Sequence, residues 1–209
     1  MVDFKLMLRQ LARRIYHSYL RKVKFRNKYT SNGRVDFSNS SDISLSHGSA
    51  KENIILDDEC RMYGHLITQN GGTIIMHGRS KIGFGSKIMC SNRVEIGENT
   101  GIAENTKIVD NNNHPVHPKD REIMRKSPYN SPLRSWKYSD SAPIVIGKNV
   151  WIGSDVRICK GVTIGDGSVI AANSVVTKSC PPNCIMGGNP AKILRENIDL
   201  VTHRYFKDA

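Results

Sequence analysis

Long apolar runs are missing from this chain of 209 residues. No segment approaches the roughly eighteen consecutive apolar residues that cross a bilayer. The opening "MVDFKLMLRQLARR" has neither the apolar block nor the small-residue cleavage site of a secretory signal. A cytoplasmic protein is expected. Cysteine is sparse as well: there are five (60, 90, 159, 180 and 184), with no CxxC and no Cys/His group at zinc spacing. Reduced, structural thiols are expected, with Cys159 a small core residue inside a repeat, and no metal. Acidic residues are almost absent from residues 1–30, where nine Lys/Arg face Asp3 alone. That arm carries net +8 of the chain's +12, so the body is only mildly basic. No helix-turn-helix, RRM-like or zinc-finger signature accompanies the charge, which argues against nucleic acid.

What the chain does have is ordinary for a protein with a real core: 38% hydrophobic and 24% charged residues, in a length suited to one domain with an appendage. The appendage is the basic arm. Phe4, Leu8, Leu11, Ile15, Tyr19 and Val23 recur at helical spacings, with most of the arginines and lysines off that stripe. Two readings stay open. A basic amphipathic helix either lies on an anionic membrane surface, or packs its stripe on the body with its charged face in water.

The dominant signal is a period of six, clearest in "IGKNVW / IGSDVR / ICKGVT / IGDGSV / IAANSV / VTKSCP". Ile146, Ile152, Ile158, Ile164, Ile170 and Val176 hold one phase, each followed by a residue that is nearly always small. Ile144, Val150, Val156 and Val162 precede the first four by two positions, and Ile82, Ile88, Ile96, Ile102 and Ile108 carry the scheme earlier. Six is neither a helical nor a strand period. It fits short strands separated by tight turns and stacked as a parallel β-helix, with the aliphatics inward. Asn99, Asn105, Asn149, Gly161 and Gly167 suit turns that need left-handed backbone. The expected organisation is a basic helical segment over 1–30, a β-helix domain over 31–190, and a C-terminal helical tail over 191–209.

The period fails for 35 residues, 109–143. His114, His117, Arg121, Arg125, Tyr129, Arg134, Trp136 and Tyr138 lie in this excursion. Such a mixture builds a wall around a polar ligand or forms a solvated loop. A lone loop histidine by itself points only weakly to a site.

From about residue 60 to 197, and most closely in "NVWIGSDVRICKGVTIGDGSVIAANSVV" and "GGNPAKILR", the sequence resembles the left-handed β-helix, hexapeptide-repeat acyltransferases. The branch is the one with galactoside, maltose and serine acetyltransferases, streptogramin acetyltransferases, and capsule and O-antigen O-acetyltransferases. The resemblance implies left-handed coils of three faces and homotrimers with active sites between subunits. It also implies acetyl-CoA as cosubstrate. In galactoside acetyltransferases a His-Pro-Val-His string opens the loop and its first His is the base. "HPVHP" therefore gives His114 that role and His117 an acceptor contact. Asp110, Asn112 or Asn113 could orient the ring. The Ser154 amide is the implied oxyanion donor, and Ser154, Ala172, Thr177, Lys178, Lys192 and Arg195 the implied coenzyme A contacts. Lys192 stands where the family has Arg, keeping the charge but losing the bidentate fork.

The acceptor side departs from the family. Gly83 and Ser91 fall where the galactoside enzymes place Asn and Asp, which argues against a small galactoside. The long loop with Trp136 is similar to that of some capsular and sialic-acid O-acetyltransferases. Trp136 is expected as an acceptor platform, with His117 and Tyr138 beside it. The function expected is acetyl transfer to a hydroxyl of a bacterial surface polysaccharide (capsule, polysialic acid or O-antigen) or its precursor, by direct transfer. Rivals are a streptogramin-type or small-sugar O-acetyltransferase and a non-catalytic β-helix scaffold. A γ-carbonic-anhydrase-like hydratase would need three zinc-binding histidines, a pattern that His65 and His77 do not supply.

Overall fold

A computed structural model describes residues 4–202 of the chain. Three parallel sheets of six, eight and six strands form the faces of a prism, and successive strands visit the faces in rotation. The chain is a left-handed parallel β-helix: the hexads predicted the stacked parallel coils, and the resemblance implied their hand. The first face runs from Thr30–Ser31 through Arg93–Ile96 to Thr163–Ile164. The second contains Lys81–Ile82, Gly101–Ile102, Trp151–Ile152 and Val169–Ile170, and the third Lys87–Cys90, Lys107–Val109, Arg157–Cys159 and Val175–Val176.

The register explains the period. Ile82, Ile102, Ile152 and Ile170 pair in sequence up the second face, and Ile88, Ile108, Ile158 and Val176 up the third. All eight are at most 1% exposed, so each coil's fixed aliphatic packs on its equivalents above and below. At the corners Asn99, Asn105 and Asn149 take φ of 59°, 57° and 53°, and Gly161 and Gly167 φ of 77° and 69°. These are the left-handed angles that favour Asn and Gly.

Three expectations are corrected. No C-terminal helical tail forms over the described part of 191–209. Ala191–Arg195 is a strand, antiparallel to Ile185–Gly188, followed by a single 3-10 turn at Ile198–Leu200. The "GGNP" turn reverses the chain onto its own last coil, so backbone pairing displaces helix. The excursion is not all loop: Pro118–Lys126 is a helix, with Pro118 opening it, Asp120 in its first turn and Arg125 and Lys126 in its last. Cys159 is half-buried rather than core, while the other four thiols are buried and all five are free. Burial pushes the thiol of Cys60 up, and that of Cys180 to about 11, so both stay protonated.

The arm is helical over Phe4–Tyr19, here α1, and continues as a π-helical turn at Leu20–Lys24. Leu20 and Phe25 are each 1% exposed and belong to the core, and Phe25 stacks on Phe37 of the first coil at 4.5 Å. Lys24 and Lys28 donate to the carbonyls of Ser41 and Ile43. The root of the arm thus plugs the open end of the prism. Among the described residues no helix is long and apolar enough to cross a membrane.

Candidate active site

The excursion leaves the prism directly after Val109, and Asp110 fixes its departure. Asp110 is fully buried. Its carboxylate accepts from the backbone N–H groups of Ser91 and Asn92 at 2.9 and 2.8 Å, from the Cys90 thiol at 3.1 Å and from the Asn111 side-chain amide at 2.9 Å. Burial first, then the neighbouring Asp110 carboxylate, raises the Cys90 pKa well above the ordinary thiol value, so its S–H remains a donor. A buried carboxylate needs this many donors to offset its desolvation. Asp110 is therefore fully used at the root and is not available to orient His114.

The next residues turn the chain outward. Asn111 accepts from the Asn113 N–H at 2.8 Å and bridges to Ser141, and the Asn112 N–H donates to the Asp140 carbonyl. The two ends of the excursion are thereby tied together. The Asn112 amide pairs with Asp140, which leaves it, too, occupied. Asn113 sits at φ 61°, and its side-chain oxygen is buried without a partner among the described residues. A left-handed residue at this point reverses the local chain direction, and the residue it delivers is His114, exposed to solvent. His117, also exposed, supplies the backbone cap of the Pro118–Lys126 helix, here α2, with its carbonyl accepting from Arg121.

Beyond α2 the excursion folds back along the same prism edge. Ser135 donates to Asn70 at 2.8 Å and the Trp136 N–H to Gln69 at 3.2 Å. Trp136 is 9% exposed. This departs from its expected role as an open acceptor platform: the side chain is buried, and the loop is tied to the coils here through the Trp136 backbone N–H and the Ser135 hydroxyl. Tyr138, 44% exposed, keeps its face available. With Pro115, Asp120, Ile123, Met124 and Leu133 it lines a pocket of about 350 Å³ beside His114.

The donor-side residues fall on two prism edges. Ser154 and Ala172 occupy one, at the same turn of successive coils, with the Ser154 carbonyl accepting from Asn173 at 2.9 Å. Lys192 joins that end of the stack, opposite Gly187, whereas Arg195 lies at the other end of its strand, opposite Ile185. Thr177 and Lys178 follow Val176 on the third face, in the column above Cys159 and Val109, and so share the edge from which the His114 loop departs. Six residues of extended chain separate the two edges, roughly 15–20 Å at strand rise. In one chain the root of the His114 loop and the Ser154 amide thus lie on different edges. A Cβ on Gly83 would lie 2.7 Å from the Ala103 carbonyl, and Ser91 spends its N–H on Asp110. Among the described residues no group of three or more His, Cys, Asp or Glu could hold a metal ion.

Stacked hexads with a loop histidine at the break define a class, the hexapeptide-repeat β-helix proteins. Residues 143–178 match the family described as bacterial transferase hexapeptide (six repeats). Galactoside O-acetyltransferase of Escherichia coli (strain K12) is 59% identical over 68 residues, 32% of this chain and 34% of that protein. The matched stretch therefore spans about a third of that curated relative. Among solved structures, the polysialic acid O-acetyltransferase OatWY is 26% identical with a TM-score of 0.61, over 84% of this chain and 80% of that one. A hexapeptide-repeat containing acetyltransferase of Vibrio cholerae O1 biovar eltor, complexed with acetyl coenzyme A, shares the fold at 23% identity and a TM-score of 0.54, covering 88% and 77%. Over residues 143–178 the chain is thus similar to the hexapeptide-repeat transferases, and over most of its length it shares the fold of these acetyltransferase structures.

Proposed function

We propose that the protein is an acetyl-CoA-dependent O-acetyltransferase acting on a sugar hydroxyl of a bacterial surface polysaccharide or its precursor. The observation that carries this reading is His114: a solvent-facing imidazole delivered by a left-handed Asn113 from a loop whose root is a buried, fully bonded carboxylate. Chains place a histidine so deliberately when its nitrogen must meet a reacting group. The similarity to a galactoside O-acetyltransferase and to a polysialic acid O-acetyltransferase supports the chemistry and the acceptor class.

In this reading His114 removes the acceptor hydroxyl's proton as that oxygen attacks the thioester carbonyl. The new C–O bond forms, the C–S bond breaks, and the protonated imidazole returns its proton to the departing thiolate. The Ser154 N–H stabilises the oxyanion between these steps. Direct transfer needs no acyl-enzyme, and burial raises the thiol pKa values of Cys60, Cys90 and Cys180, which leaves them poor nucleophiles.

Base and oxyanion donor lie on different edges of one prism, so a complete site forms between neighbouring copies, as expected of a trimer. Small residues at Ser154 and Ala172 let a pantetheine arm approach the backbone, and Lys178, Lys192 and Arg195 supply positive charge for its phosphates. Tyr138, His117 and the pocket beside them form the acceptor wall. The closed space at Gly83 disfavours a small galactoside.

The test is acetyl-CoA consumption against acidic and neutral bacterial polysaccharides, their oligosaccharides and simple galactosides. Turnover is expected with a polysaccharide, and His114→Ala should lower it about 10²–10⁴-fold. Wild-type turnover by His114→Ala would remove the proposal's foundation, and a preference for simple galactosides would move the acceptor assignment.

A further inference from the structure

We infer that α1 and the turn after it dock the protein onto an anionic lipid surface. The inference stands on the arm alone and does not depend on the acetyltransferase reading. Its first observation is what the apolar stripe does not touch. Leu8, Leu11, Ile15 and Tyr19 lie within a narrow arc of the helix, about 80° wide at 100° per residue, and are 47%, 53%, 63% and 53% exposed. Val23, one turn further, is 59% exposed. The arm does have an anchor in the body, but it is Leu20 and Phe25, both off the stripe and both buried. The reading in which the stripe packs on the prism is therefore excluded: the helix is held at its root and leaves its apolar face unpartnered.

Charge decides which occupant fits that face. Residues 1–30 carry nine Lys/Arg against Asp3 alone. Two of the nine, Lys24 and Lys28, are spent on carbonyls of the first coil. Arg9, Arg14 and Arg26 are exposed. A second copy of the arm on the stripe would bring one net +8 segment against another, a repulsive arrangement with no acidic partner to relieve it. An anionic bilayer offers both what the stripe lacks, an apolar phase to enter, and what the cations lack, a field of opposite sign. The helix is too short and too polar to span, so it lies in the interface with the prism standing off from its anchored end.

The full chain is to be sedimented with vesicles of phosphatidylcholine alone and of phosphatidylcholine containing about a third phosphatidylglycerol, with its oligomeric state followed by light scattering. Binding is expected only to the anionic vesicles and should fall steeply in 0.5 M salt. Each of Arg9→Gln and Arg14→Gln should weaken partition about fivefold. Leu11→Glu with Ile15→Glu should abolish it while leaving the melting temperature of the coils and the oligomeric state unchanged. Equal binding to neutral and anionic vesicles, or none to either, overturns the proposal. So does a change of oligomeric state in the Leu11→Glu/Ile15→Glu variant, which would assign the stripe to a second copy.

Discussion

The coils over 144–176 and the excursion over 110–143 are neighbours in sequence and opposites in construction. In the coils one interaction is repeated: an aliphatic at most 1% exposed sits above its equivalent, and the backbone ladder joins each turn to the next. In the excursion no interaction repeats. Its shape rests on a few dissimilar ties: Asp110 to Ser91 and Asn92, Asn112 to Asp140, Ser135 to Asn70 and Trp136 to Gln69. Repetition makes a stiff wall whose loss at one point is felt as a cavity. Singular ties make a projecting structure that can carry a unique group such as His114, and that fails one tie at a time. The lesson is a division of labour: the period supplies rigidity, and the break in it, in the function proposed above, supplies the reacting group.

The contrast is sharpest in stability. Ile158 is fully buried between Ile108 and Val176, so Ile158→Ala should cost about 2–5 kcal/mol from lost burial and an unfilled cavity. Ile123, on α2, is 57% exposed, and Ile123→Ala should move stability by less than about 0.5 kcal/mol. Urea denaturation of both variants measures the difference. Equal losses would mean that the excursion is as much a part of the cooperative core as the coils.

Asp110 is the point at which the two regions join. Asp110→Asn keeps the volume but turns one acceptor oxygen into an amide donor facing Ser91, Asn92 and Cys90. Leaving those donors unsatisfied should cost about 1–3 kcal/mol. The excursion should release before the coils do. Limited proteolysis is expected to cut within 110–143 faster than in the wild type, while the coil fragment stays intact. Cleavage spread evenly over the chain would show instead that Asp110 supports the prism.

The same division governs how much could be read from the residues. A hexad needs only that every sixth position be aliphatic and its neighbour small, so Ile146 to Val176 declared both the fold and their own burial. The Asn and Gly corners were legible for the same reason, since the backbone angle they serve is local. The excursion offered only local clues. Pro118 and the charge order of α2 could have revealed that helix, but nothing near Trp136 shows that Gln69 and Asn70, more than sixty residues earlier, will tie this stretch of loop to the coils. Its aromaticity suggested a sugar platform, and tertiary packing claimed it instead. Asp110 stood among three residues that could orient the imidazole. Its real partners, Cys90, Ser91 and Asn92, are neighbours only because the coils have a twenty-residue rise at that corner, which places them one layer below. The separation of Ser154 from His114 onto two edges likewise follows from counting faces, not from any residue type.

The smallest effect tests whether the outer surface of the coils shares in their stiffness. His77 bridges three layers of the first face, with its ring nitrogens 2.9 Å from Asp57 below and 2.9 Å from Glu95 above. Hydrogen bonding to Glu95, reinforced by Asp57 and by the charges of both, raises the His77 pKa above its ordinary 6.5 against the opposing effect of burial. The His77 hydrogen bond, then Arg93, lowers that of Glu95. A histidine whose folded pKa is raised stabilises fully below its unfolded value and loses that contribution as pH rises through the folded one. A carboxylate with a lowered pKa contributes above its ordinary value, near 4.5, and loses the contribution as pH falls through the folded one. The clamp should therefore be strongest between about pH 5 and 6.5 and weaken toward pH 8. Because the three side chains are part-exposed, water screens the pair and the effect stays small. The melting temperature of the wild type is expected to fall slightly more between pH 6 and 8 than that of His77→Gln. Parallel curves for the two proteins would mean that the buried aliphatic ladder alone holds these coils together, with the ionic layer on their surface contributing nothing measurable.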